Sequence, residues 1–197
     1  MKKLIYSLSL LLISQFGFGQ AVNDQAIIPV SVTLNSILRL TVVSGGNIDF
    51  VINTIGQYTS GINNGGANAQ YQTRFTVSSS QDFDVTLRAE DGTLIGQDNP
   101  AHTMPLNNIG YDVTSAGTGA DPANWALSTA IPPLTNVAVN IITGVVGASA
   151  GSAAQNDFTI RWRLGTGEGT MNGSSLLAQS LDPDRYITNV ILELVAK

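Results

Sequence analysis

Three groups of residues have the types and spacing to do chemistry. The first is "RLGTGEGT", 163–170, where Gly165, Gly167 and Gly169 fall at every second position. Glycines so spaced let backbone amides approach a phosphate. A phosphate loop then opens a helix whose N-terminus faces the anion, and in nucleotide-binding loops a lysine follows. Here "MNGSSLLAQSLDP" follows, with another glycine at once, Pro183 soon after, and no lysine. The pattern predicts a strand leaving its sheet into a turn.

The second is the lone histidine, His102, in "NPAHTMP". One histidine set between two prolines reads as a solvated loop residue, and a histidine-rich zinc site is impossible by count. The third is a set of carboxylate pairs: Asp82 with Asp84, Glu90 with Asp91, Asp182 with Asp184. Two-carboxylate hydrolysis needs groups that face each other across a cleft, which spacing along a chain does not give. Calcium needs six or more oxygens. The best calcium candidate is "LDPDR", where Asp182 and Asp184 flank Pro183; its plainer reading is a turn with aspartates accepting backbone bonds. No catalytic, cofactor-binding or metal-binding residue is assigned, and the chain is read as a non-enzyme.

Composition points the same way. The 197 residues include no cysteine, and only 12% are charged. Disulfides, thiolate metal sites and a cysteine nucleophile are therefore out. "MKKLIYSLSLLLISQFGFGQ", 1–20, has two lysines, a short apolar run from Leu4 to Ile13, and Gly17 and Gly19 near its end. That is the pattern of a secretory signal peptide, cleaved after Gly19 or Gln20. Its apolar run is too short for a bilayer anchor. Cleavage would take Lys2 and Lys3, leaving seven basic residues against fourteen acidic ones. Such a chain repels nucleic acid and anionic lipid. The expectation is a protein without a membrane span after cleavage, in the periplasm, on the outer surface or outside the cell.

The elements that would position these residues are strands. In 26–43, Ile28, Val30, Val32, Leu34, Leu38, Leu40 and Val42 occupy even positions while mostly polar residues occupy odd ones. That period of two predicts one long strand, bent near Asn35-Ser36, with Pro29 at an edge or sheet entry. "NIDFVI", 47–52, alternates again. The Asn/Gly-dense stretch 53–70 predicts a long exposed loop. "YQTRFTVSSS" and "DFDVTLRAE" read as half-buried strands, with a hairpin-type turn at "EDGT", 90–93. Weaker strands are expected at 108–117 and 137–142, one helical turn within 118–129, and a small-residue loop, open and mobile, at 143–156. "DFTIRWRL", 157–164, places Phe158, Ile160, Trp162 and Leu164 inward, with Arg161 and Arg163 outward to pair with carboxylates such as Asp82 or Asp84. A last strand ends the chain. No stretch holds a 3.6-residue period over three turns. The sum is an all-β fold, an antiparallel two-sheet sandwich of seven to nine strands, forming a single domain over 21–197.

The order of these pieces resembles secreted bacterial β-sandwich proteins related to spore coat protein U and to fimbrial subunits. The resemblance rests on the strand "IPVSVTLNSILRLTV", the following "GGNIDFV", the Gly/Asn-rich middle and the end "LDPDRYITNVILELVAK". In that family a Pro-Gly-x-Tyr element leads into the last strand. Pro183 and Tyr186 match it, with Asp184-Arg185 between them. The ending "FGFGQ" is similar to those of exported proteins of Bacteroidota. The resemblance implies an immunoglobulin-like sandwich, a structural or adhesive surface role, and self-association or association with other surface subunits by strand addition. It carries over no catalytic residue. The alternative expectation is a glycan or cell-wall binding module using the 53–70 or 143–156 loops near Tyr58, Tyr71 or Trp125.

Overall fold

The computed structural model describes residues 28–63 and 69–197. The signal-peptide reading, 1–20, lies outside them. The chain divides into two units at Leu34/Asn35. In the first unit the described residues, 28–34, have no regular structure. Their apolar side chains Ile28, Val30, Val32 and Leu34 are 77% to 89% exposed.

The second unit is an antiparallel β-sandwich. Its strands are β1 (Leu38–Ser44), β2 (Gln72–Ser79), β3 (Phe83–Ala89), β4 (Thr93–Gly96), β5 (Thr103–Pro105), β6 (Ile109–Ser115), β7 (Trp125–Leu127), β8 (Val139–Gly144), β9 (Asp157–Leu164), β10 (Tyr186–Ile187) and β11 (Val190–Ala196). One sheet runs β1-β2-β9-β6, and a second runs β11-β3-β8-β7. A third, β10-β4-β5, continues the second. The chain passes from β3 into β4, and from β10 into β11, so both sheets share one bent strand pair.

Alternation places the core. Phe83, Val85, Leu87 and Ala89 of β3 are buried, with the residues between them half-buried. Phe75 and Val77 of β2 lie beside Phe158 and Ile160 of β9, all fully buried. Trp125 of β7 spans the layers, its ring edge-on to Phe158 with centroids 4.9 Å apart.

Four expectations are corrected. The long first strand pairs only over Leu38–Ser44. Leu38 stands opposite Ser79, where β2 ends, so nothing continues the ladder upstream. Ser80 closes it, its amide donating to the Ile37 carbonyl. The supposed loop 53–70 holds a helix, α1 (Ile55–Ser60). Thr54 and Gln57 cap its start reciprocally, a capping box in the sequence pattern Thr-x-x-Gln.

The "EDGT" turn is not a hairpin. β3 and β4 do not pair with each other; the turn is a bend matched by a bend at Thr188-Asn189. Asn189 donates to the Glu90 carboxylate at 2.6 Å and Thr188 to Asp91 at 3.1 Å, so this carboxylate pair holds two bends together. The 143–156 loop is tied down rather than open. Asp82 accepts from the amides of Gly147, Ser149 and Ala150 and from the Ser149 hydroxyl. These bonds, led by that of Gly147, hold the Asp82 carboxyl below its ordinary pKa.

Candidate functional site

The chemistry-bearing residues are dispersed into structural work. Gly165, Gly167 and Gly169 all have positive φ, the conformation glycine tolerates best. A Cβ on Gly165 would run into the Leu176 side chain. The segment after them contains only a 3-10 turn at Leu177–Gln179, so no helix N-terminus faces these glycines.

Arg161 and Arg163 do not reach Asp82 or Asp84. Both bond the carboxylate of Asp112 on β6, which is cross-strand to Arg161 in register. Arg163 is almost fully buried, which its outward-facing position did not suggest. Asp84 instead accepts from Lys197 Nζ at 3.0 Å and from the Gly144 amide at 2.9 Å.

His102 and Asp184, distant in sequence, meet. His102 Nδ1 lies 3.0 Å from Asp184 Oδ2, and Nε2 lies 3.0 Å from Asn99 Nδ2. Asp184 also accepts from the amides of Asp98, Asn99 and Arg185. Those bonds, the Asp98 amide first, hold its pKa down to about 2 against the opposing effect of burial. Four donors occupy its oxygens, which leaves the side chain committed to clamping the 97–102 turn. Asp182 is largely exposed. Its Oδ2 lies 3.6 Å from His102 Nε2, yet among the described residues no group of three His, Asp or Glu side chains is arranged to hold a metal ion.

His102 was expected to lack a Gly-x-Ser-x-Gly partner, yet "GASAG", 147–151, has the spacing of a hydrolase nucleophile elbow. Ser149 is fully buried. Its hydroxyl bonds Asp82 and accepts from the Phe83 amide. The hydroxyl thus ties this turn to Asp82 and to the start of β3.

The aromatic residues expected to carry glycans are also placed. Trp125 is fully buried and Tyr71 nearly so, while Tyr58 is half-buried. Tyr71 stacks on Phe50 with ring centroids 4.6 Å apart.

What stands out is a difference between the two sides of the sandwich. On one side the edge of β6 is covered by 128–134. Val113 N donates to Ser128 O at 2.8 Å, Leu134 N to Ile109 O at 2.7 Å and Tyr111 N to Pro132 O at 3.3 Å. Ser128 N donates across to Ile141 of β8 at 2.9 Å. That side is sewn by backbone bonds.

On the other side, β1 ends one sheet and β10–β11 end the other. Among the described residues no strand pairs with their outer edges. The gap is crossed by 47–52, whose Ile48, Phe50 and Ile52 are half-buried while Asn47, Asp49 and Val51 are exposed. Among the described residues this strap makes no backbone–backbone hydrogen bond. Beneath it lies a cavity of about 710 Å³, lined by Leu94, Met104, Trp162, Leu176, Tyr186 and Leu192 among others. Trp162 is fixed there by donating to Thr73 Oγ1 at 2.9 Å, and Thr73 in turn donates to Gly45 O at 2.7 Å.

A cleft with an apolar floor and a polar rim, lying between two strand edges that have no outer partner among the described residues, is chemically suited to accept an extended segment with alternating apolar side chains. No family model matches the chain, and no curated protein matches it.

Proposed function

We propose that this chain is a secreted, non-enzymatic surface subunit, and that an extended segment of one copy completes the open side of the next. The observation that carries this reading is the open seam: one side of the sandwich is sewn by 128–134, while on the other the outer edges of β1 and β10–β11 have no strand partner among the described residues. Exposed sheet edges are liabilities that proteins cover, charge or use.

The same chain carries a segment of fitting form. Residues 28–34 present Ile28, Val30, Val32 and Leu34 at alternate positions, all strongly exposed. Seven extended residues reach roughly 23 Å, the length of the seven-residue strand β11. Strand addition draws affinity from main-chain bonds and specificity from pockets for alternate side chains.

The test is the mass in solution of purified residues 21–197, by size exclusion with light scattering, beside the same chain lacking 21–34. Electron microscopy of the same fractions accompanies it. Filaments or a concentration-dependent ladder, lost on deletion, support strand addition. Polymers that survive the deletion overturn the role given to this segment.

A further inference from the structure

We infer that the strap 47–52 is a removable occupant of the open seam, and that the 28–34 segment of a second copy takes its place. This rests on the strand-addition reading and adds a gate to it.

Three observations converge. First, the strap sits where a strand would sit but lacks a strand's bonds. Its counterpart across the sandwich, 128–134, donates and accepts along β6 and β8; the strap makes no backbone–backbone bond among the described residues. Its hold comes from half-buried side chains, the Phe50–Tyr71 stack and one exposed ion pair, Asp49 with Arg185 at 3.8 Å. An ion pair so exposed contributes little.

Second, its pattern copies that of residues 28–34. Ile48, Phe50 and Ile52 face inward at i, i+2 and i+4. Ile28, Val30 and Val32 repeat that spacing and are strongly exposed. At sufficient concentration, a segment that adds backbone bonds to comparable apolar contacts can displace a strap that offers the contacts alone.

Third, both ends of the strap are anchored independently of it. Gly45 has φ +68, and a Cβ there would collide with the Gln72 carbonyl. The Thr73 hydroxyl holds the Gly45 carbonyl. At the far end, the amides of Asn53 and Thr54 donate to Gln57 Oε1 at 2.7 and 3.1 Å. The strap can therefore swing out without unravelling β1 or α1.

A fluorescent peptide of residues 26–36 mixed in excess with dilute purified 21–197 tests this. The observed rate should level off as peptide rises, because strap opening becomes limiting. Phe50→Ala weakens the strap and should raise that plateau, which is the opening rate, about tenfold, and tighten the apparent affinity as the open fraction grows. Ile48→Ala, a smaller truncation, should shift it in the same direction and serves if F50A does not fold. Peptide that binds wild type and both variants at one rate, linear in concentration, overturns the gate and leaves strand addition standing. Peptide that binds none of them overturns both.

Discussion

The Asp184 carboxylate lies 3.0 Å from the Nδ1 of His102 and is itself inaccessible to solvent. It joins the 97–102 turn to the approach to β10, so the bent edge of the sandwich depends on one charge.

That charge sets an acid dependence. Asp184 is held down to about 2 in the folded protein, against about 3.9 for a free aspartate. A depressed pKa stabilises the fold above the unfolded value and is lost as pH falls through the folded one. Denaturant midpoints should therefore drop between about pH 4 and pH 2. Asp184→Asn should lower stability at pH 7 and flatten the acid limb. An unchanged limb would show that the clamp carries no charge dependence.

Asp112 should be the least replaceable carboxylate. It is buried and bonds both Arg161 and Arg163. Asp112→Ala leaves the buried Arg163 with Glu168 as its remaining carboxylate partner, 2.7 Å from its Nε, and frees Arg161, and should cost about 3 kcal/mol in urea unfolding. Arg161→Ala removes a partly exposed partner and should cost about 1 kcal/mol. Equal losses would contradict the assignment of Arg163 as the buried member.

Tyr111 offers a change in the opposite direction. It is fully buried, and its hydroxyl has no hydrogen-bond partner among the described residues. Tyr111→Phe removes an unsatisfied polar atom and should be neutral or stabilising by up to about 1 kcal/mol. Burial pushes the phenol up to about 12. A raised pKa stabilises below the unfolded value, about 10 for a free phenol, and is lost as pH rises toward 12. Y111F should lose that alkaline slope, read by stability against pH.

Trp125 and Gly119 should be coupled. A Cβ on Gly119 would collide with the six-membered ring of Trp125. Gly119→Ala should destabilise the wild type, and Trp125→Phe should vacate the space it needs. The double variant should then be more stable than the sum of the two losses implies. Strict additivity would place the ring elsewhere. Trp125→Ala alone should cost about 3–5 kcal/mol.

The longer core strands were legible where period two met a partner, while the short strands β4, β5 and β7 were not, β7 lying where a helical turn was expected. Phe83, Val85 and Leu87, and Phe158, Ile160 and Trp162, fall inward as their alternation predicts. Alternation fails as a guide at 28–34 and 47–52, because period two reports a segment's capacity to pair and not the presence of a partner. The helix α1 was written in Thr54-x-x-Gln57 but masked by the glycines and asparagines around it. The open seam was not legible. It depends on which strands end each sheet, and therefore on pairings between residues distant in the chain. The Asp112–Arg163 and Asp184–His102 contacts were hidden for the same reason.

The placement of β11 also sets a timetable. The last seven-residue strand pairs along the full length of β3, and β9 separates β2 from β6. A chain made from its N-terminus has therefore emitted Phe75, Val77, Phe83 and Val85 well before β9 and β11 exist. Pairings this distant along the chain form slowly. For that interval these core side chains lack the strands that bury them, so burial of the core lags behind synthesis of its residues.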